Sequence, residues 1–186
     1  MYSKDSNLIK TRIGREEIYS GRACQLWIDE LRLPSGGTVK REHLHHPRSV
    51  AVFALDAQDR CVLVRQYRYT LEKLTLEIPA GKMDKGDSET PLQAIQRELK
   101  EETGYTASEW ISLGEIYPTT GIMDEIIYLY LARGLSSGEQ ALSDFELINV
   151  ERVSLDALRR MIDDGTINDG KTLCAYARAQ IKGLIS

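Results

Sequence analysis

Three glutamates, Glu98, Glu101 and Glu102, crowd the segment Arg97-Glu-Leu-Lys-Glu-Glu-Thr-Gly-Tyr105. In a helix, at roughly 100° per residue, they fall together on one side, and the spacings 98 to 101 and 98 to 102 set like charges next to each other. Glu101 and Glu102 also sit in the last turn, where the helix dipole is already negative. Each conflict costs from a few tenths to about 1 kcal/mol, which a solvated acidic face tolerates. A divalent cation removes the conflict. Carboxylate oxygens are hard ligands that select Mg²⁺, Mn²⁺ or Ca²⁺ over zinc, and Mg²⁺ commonly keeps waters and accepts a substrate phosphate. The pattern points to metal-assisted phosphate chemistry, with a solvated acidic surface as the alternative.

The elements that must hold these groups are legible nearby. Thr90-Pro91-Leu92-Gln93 combines a hydroxyl N-cap, proline at the first helical position and glutamine three after the cap, and Gly104 supplies a left-handed stop. A helix is predicted from Pro91 to Thr103, with Leu92, Ile95 and Leu99 facing a core and the three glutamates beside them. Strands are predicted near 8–19, 22–33, 38–44, 50–55, 61–67, 75–79, 110–117, 125–133 and 148–153, with a turn at Pro34-Ser-Gly-Gly37. Two later helices, 155–163 after an N-cap at Ser154 and 171–182, carry apolar residues at helical spacing. Strands dominate early and helices late, an α+β pattern.

Composition narrows the function classes. A chain of 186 residues, 42% hydrophobic, suits one domain of ordinary size. A net charge of -4 without a basic run argues against a nucleic-acid polymer as partner. Cys24, Cys61 and Cys174 are widely spaced and odd in number, which indicates reduced thiols rather than disulfides or a zinc site. A polar start and no span of membrane-crossing length make a cytoplasmic enzyme without membrane association the expectation.

Arg97-Glu-Leu-x-Glu-Glu-x-Gly-Tyr105, with Glu89 at the required distance upstream, resembles the Nudix box. The first half departs from it: seven residues rather than five separate Gly81 from Glu89, as a two-residue insertion in the loop would give. That leaves Glu89 or Asp87 for the outer acidic role, with the intact downstream spacing favouring Glu89. Gly21-Arg22, Leu33-Pro-Ser-Gly-Gly37, Arg41-Glu42, Val64-Arg-Gln-Tyr-Arg-Tyr69, Glu77-Ile-Pro-Ala-Gly81 and Asp169-Gly-Lys-Thr-Leu173 together resemble the ADP-ribose and nucleoside diphosphate sugar pyrophosphatase branch of that family. The resemblance implies a mixed β-sheet sandwiched between α-helices, residues 46–186, preceded by an antiparallel β subdomain, residues 1–45, used for dimerisation and substrate contacts.

What the resemblance implies for the site follows residue by residue. Glu98, Glu101 and Glu102 become the metal ligands, with the carbonyl of Ala80 as a further one, and Arg97 orients them. Mg²⁺ is the expected cofactor, with Mn²⁺ possible. Arg68 grips the substrate diphosphate, with Arg65 as rival; Arg41 and Glu42 reach the terminal sugar or the nucleotide; Tyr69 is placed to line a nucleotide site. The general base comes from the loop 135–147, as Asp144 or Glu146. His43, His45 and His46 read as structural or surface groups. Pro118-Thr-Thr120-Gly121 lacks the second proline common in ADP-ribose pyrophosphatases, which leaves room for GDP-mannose, ADP-glucose or a wider range of nucleotide sugars. The expected activity is Mg²⁺-dependent hydrolysis of the diphosphate bond by a homodimer. A Nudix hydrolase of another nucleotide class, whether dinucleotide or triphosphate, and a catalytically idle nucleotide sensor are the alternatives.

Overall fold

The computed structural model describes residues 5–83 and 88–186. Asp87 and the rest of the inserted loop at 84–87 lie outside the described residues. The chain divides into two compact units, one formed by the residues up to Pro47 with Thr119–Glu125, the other by Arg48–Pro118 and Ile126–Ser186.

In the smaller unit, β1 (Thr11–Ser20), β2 (Gln25–Arg32) and β3 (Thr38–His45) form an antiparallel meander in that order. A turn closed by Leu33 N–H donating to Gly37 O at 2.7 Å joins β2 to β3, and Gly36 takes the positive φ of 92° that this turn requires. The predicted first strand begins late because Ser6–Leu8 winds into a single 3₁₀ turn. β1 is exposed along nearly its whole length, including Ile13, Ile18 and Tyr19.

The larger unit is built on a mixed sheet of β4 (Ser49–Leu55), β5 (Arg60–Arg68), β6 (Lys73–Glu77), β7 (Ala80–Lys82), β8 (Thr106–Ile116), β9 (Ile127–Ser136) and β10 (Ile148–Ser154). Its main path runs β10-β5-β4-β9-β8, with β4 and β9 parallel and the other neighbours antiparallel. Every residue of β4 is buried, as befits a strand covered on both faces. Val50, Val52 and Ala54 pack with Ala94, Ile95 and Leu99 of α1 (Pro91–Thr103) on one side. Ala51, Phe53 and Leu55 share the other core with Leu158 of α2 (Leu155–Asp163) and Ala175 and Ala179 of α3 (Gly170–Ile181). The fold is therefore α+β with the sheet between helices, as the sequence indicates.

Two local differences matter for the site. The single strand expected at 75–79 is two strands, because β6 pairs with β5 whereas β7 pairs with β4. β4 and β5 pair with each other at Ala54–Val62 and Leu55–Cys61, and the chain crosses between their diverging ends at Ile78-Pro79. Leu92, expected in the core, is instead 37% exposed, and Ala94 takes a core position. Leu92 has the same angular position as Leu99 but stands in the first turn, where the cover over that face ends, while Glu98 and Glu102 lie within the buried arc.

Candidate active site

Both ends of α1 are built as its sequence dictates. Thr90 Oγ1 accepts from Gln93 N–H at 3.3 Å while Thr90 N–H donates to Gln93 Oε1 at 2.9 Å, and Gly104 ends the helix at φ 75°. The crossing at Ile78-Pro79 delivers Ala80 and Gly81 to the buried face of this helix. Ala80 N–H donates to Glu102 Oε2 at 3.0 Å. A Cβ placed on Gly81 would lie 2.0 Å from Glu98 Cδ, so the Glu98 carboxylate rests directly on the glycine backbone. Glu101 stands at the rim of the group, its side chain 39% exposed.

Arg97 runs through these acids as a brace. It meets both oxygens of Glu89, Nε at 3.0 Å and Nη2 at 3.1 Å, and its Nη1 donates to Glu98 Oε1 at 2.7 Å and Glu101 Oε2 at 3.0 Å. Glu89, itself buried, thereby fixes the guanidinium that orients the other two. These bonds, that to Glu89 foremost, hold the guanidinium still more firmly protonated than usual.

Among the described residues, no three His, Cys, Asp or Glu side chains already stand in an ion-holding arrangement. The donor set nevertheless fits a divalent cation. Its atoms are carboxylate oxygens, and the acids face the backbone of a strand crossing, Glu98 lying in the space that a Cβ on Gly81 would take. Burial pushes the Glu102 carboxyl up to about 8, the Ala80 N–H and the Lys171 charge opposing this and the charges of Glu98 and Glu146 adding to it. A cation in this group is the counter-charge that such a carboxylate lacks.

The two arginines of β5 are separated by strand parity. Arg65 is opposite Leu76, a residue of the core beneath α2 and α3, whereas Arg68 has the parity of Val62, which packs beneath α1. Arg65 is paired with Glu151 of β10. Arg68 lies on the α1 side and forks onto Glu77, Nε to Oε1 at 2.8 Å and Nη2 to Oε2 at 2.6 Å. Burial opposes ionisation of Glu77, but Arg68 and Lys171, with Thr75, outweigh it and bring the carboxyl down to about 2. Tyr69, just past β5, is 79% exposed.

The acidic loop is tied to the C-terminal end of α1. Gln140 Nε2 donates to Glu102 O at 2.6 Å and Ala141 N–H to Glu101 O at 2.9 Å, so the loop satisfies carbonyls that the helix leaves open. Asp144 and Glu146 are both exposed. Glu146 Oε2 accepts from Ser143 N–H and Oγ, each at 2.9 Å, and its charge reaches Glu102. Gln140 is a site neighbour that sequence reasoning missed, for a lone glutamine in a polar loop carries no signal of its partner.

Arg41 and Glu42 belong to the smaller unit. With Lys10, His43 and the segment Thr120–Asp124 they line a depression of about 350 Å³ in that unit. Asp124 is its polar hub, accepting from His43 Nε2 at 3.0 Å, His45 Nδ1 at 2.8 Å and His46 N–H at 3.0 Å. Burial opposes its ionisation, yet these three partners bring it down to about 2. Trp27 packs against Arg15, 3.7 Å from the ring centre, and against the stacked ring of His45.

The family profile described as NUDIX domain matches residues 45–176. Among curated relatives, the methanol dehydrogenase activator of Bacillus methanolicus is 42% identical over 91% of this chain and 92% of its own. The ADP-ribose pyrophosphatase of Bacillus subtilis (strain 168) is 36% identical over 95% of each chain. A crystal structure described as an ADP compounds hydrolase superposes with a TM-score of 0.82, covering 94% of this chain and 95% of that one at 22% identity. That structural likeness speaks for the fold.

Proposed function

Because this chain belongs to the Nudix family of hydrolases, we propose that it cleaves the diphosphate bond of ADP-ribose or a related nucleoside diphosphate sugar, giving a nucleoside monophosphate and a sugar phosphate. The observation that carries this reading is the interlock of the Ala80-Gly81 backbone with the buried carboxylates of α1, on the same sheet face as Arg68. The Bacillus subtilis relative, an ADP-ribose pyrophosphatase matched over nearly its whole length, supports the substrate class.

Nudix hydrolases work with divalent metal ions, and Mg²⁺, with Mn²⁺ as substitute, suits an all-oxygen donor set. When bound, the ion supplies counter-charge for the diphosphate and acidifies the attacking water. Glu98, Glu101, Glu102 and the Ala80 carbonyl hold it. Arg97 keeps Glu98 and Glu101 aligned, and Arg68 takes up the diphosphate oxygens. Glu146 or Asp144 withdraws the proton of the water, and the reach of the Glu146 charge to Glu102 supports Glu146 in that role. Arg41 and Glu42 recognise the nucleotide or its terminal sugar.

The working unit in this reading is a cytoplasmic homodimer in which residues 1–45 serve dimerisation and substrate contacts and residues 46–186 carry the chemistry. The long exposed β1 with its outward Ile13, Ile18 and Tyr19 supports a second copy as its cover. No helix among the described residues is long and apolar enough to cross a membrane.

The test is hydrolysis of ADP-ribose, ADP-glucose and GDP-mannose in ¹⁸O-labelled water with Mg²⁺, with mass analysis of both products. Release of a labelled monophosphate is expected. Binding of these compounds without any turnover would leave the sensor reading in its place.

A further inference from the structure

Lys171 stands in the first turn of α3 and is only 11% exposed in its side chain, although nothing in its position on a helix requires a lysine to be covered. Its ammonium donates to Glu77 Oε2 and, at 2.8 Å, to Asp169 Oδ1. Glu77 is 3% exposed; its Oε2, which receives Lys171, also receives Arg68 Nη2 at 2.6 Å, and its Oε1 accepts from Arg68 Nε at 2.8 Å and from Thr75 Oγ1 at 2.6 Å. Asp169 caps α3 through Thr172 N–H at 3.0 Å and accepts from Thr172 Oγ1 at 2.6 Å. Thr172 Oγ1 in turn accepts from Ile78 N–H at 3.0 Å, next to the crossing that presents Ala80.

The charges in this network are two cations, Arg68 and Lys171, against two anions, Glu77 and Asp169. Nε and Nη2 of Arg68 are occupied by Glu77, while among the described residues Nη1 has no hydrogen-bond partner and the side chain remains 41% exposed. The outer edge of the guanidinium is thus held still and open. The network also faces α1, for the charge of Lys171 reaches Glu102 and that of Glu102 reaches Arg68.

We propose that Lys171 is a positioning residue for diphosphate binding: by sharing the carboxylates of Glu77 and Asp169 it lets Arg68 meet a substrate diphosphate from within a neutral group and not a negative one. The inference rests on the reading of Arg68 given above. Without Lys171, one cation would face two anions, and an incoming diphosphate would meet a net negative group instead of a neutral one. Binding would weaken because attraction to Arg68 would be offset by repulsion from the uncovered acids.

The experiment compares Lys171→Met, Lys171→Arg and the double variant Glu77→Gln/Lys171→Met with the parent. Two readouts are taken: steady-state hydrolysis of ADP-ribose with Mg²⁺, and calorimetric binding of ADP, a diphosphate without the second sugar. Lys171→Met is expected to raise KM and the ADP dissociation constant about tenfold while kcat stays within about threefold. Lys171→Arg should restore both constants. The double variant, which again balances one cation with one anion, should bring them back to within about threefold of the parent. A Lys171→Met protein that melts earlier but binds ADP as the parent does would overturn the inference, since that marks a purely structural lysine. No recovery in a folded double variant would do the same. Parent protein that binds ADP but hydrolyses no nucleotide sugar would count against the proposed reaction, while the ADP constants would still decide the role of Lys171.

Discussion

Gly81 and Glu98 share one volume: the carboxylate of the glutamate occupies the space where a side chain at position 81 would begin, 2.0 Å from an added Cβ. Gly81→Ala is therefore expected to displace Glu98 from the strand crossing while leaving the core beneath α1 unchanged. Activity should fall by roughly a hundredfold or more, as for a misplaced catalytic group. Circular dichroism should remain that of the parent. An alanine variant with parental kcat and KM would show that Glu98 need not approach the backbone during turnover.

Glu102→Gln is expected to abolish most turnover and yet not to destabilise the metal-free protein. The parental carboxyl is buried, and burial already disfavours its charged form. Divalent metal should raise the melting temperature of the parent more than that of the variant. Full activity of Glu102→Gln at saturating Mg²⁺ would remove this residue from the ligand set.

If the loop supplies the base, one of Glu146→Gln and Asp144→Asn should lower kcat far more than it raises KM. The effect expected from losing a general base is roughly 10²- to 10⁴-fold, and Glu146, whose charge already reaches Glu102, is the favoured position. Near-parental kcat in both variants, with chemistry limiting, would shift water activation to the metal or to a glutamate of α1.

Acid stability should report on Glu77. Its carboxyl ionises near 2 in the folded chain against an ordinary value of 4.5, so the folded-state pKa is depressed. The stabilisation is fully present above the ordinary value and is lost as pH falls through the window from 4.5 toward 2. Urea midpoints measured across that range should drop steeply for the parent and less steeply for Glu77→Gln. Parallel curves would mean that Glu77 does not contribute to acid unfolding.

Replacing Ile18 of β1 by lysine is expected to yield a slower-associating or monomeric protein in sedimentation at micromolar concentration, because a charge would enter the proposed subunit contact. A parent that sediments as a monomer and turns over its best substrate at full rate would refute both the dimer and a site shared between copies.

The part of the site that the sequence reveals is the part set by neighbours along the chain. The cap, proline, periodicity and terminal glycine of α1 are all local, and its observed bounds, Pro91–Thr103, follow from them. Assigning Arg65 and Arg68 to opposite faces of the sheet needed the pairing of β5 with β6, since parity assigns faces only once one neighbour is known to be in a core. The exposure of Leu92 and the partners of Gln140, Lys171 and Asp124 likewise depend on contacts between residues far apart in the chain. Their types alone do not encode such contacts.

The mooring of the acidic loop sets how far its carboxylates travel. Ala141 is bonded to the end of α1, and Ile148 is already paired with Gln66 in the sheet. The chain between these two points spans at most about 25 Å when fully stretched. Asp144 and Glu146 therefore sweep a confined volume around α1, and either acid meets the carboxylates of that helix at an effective concentration fixed by this short tether. A longer flexible loop would dilute that encounter without touching any catalytic atom.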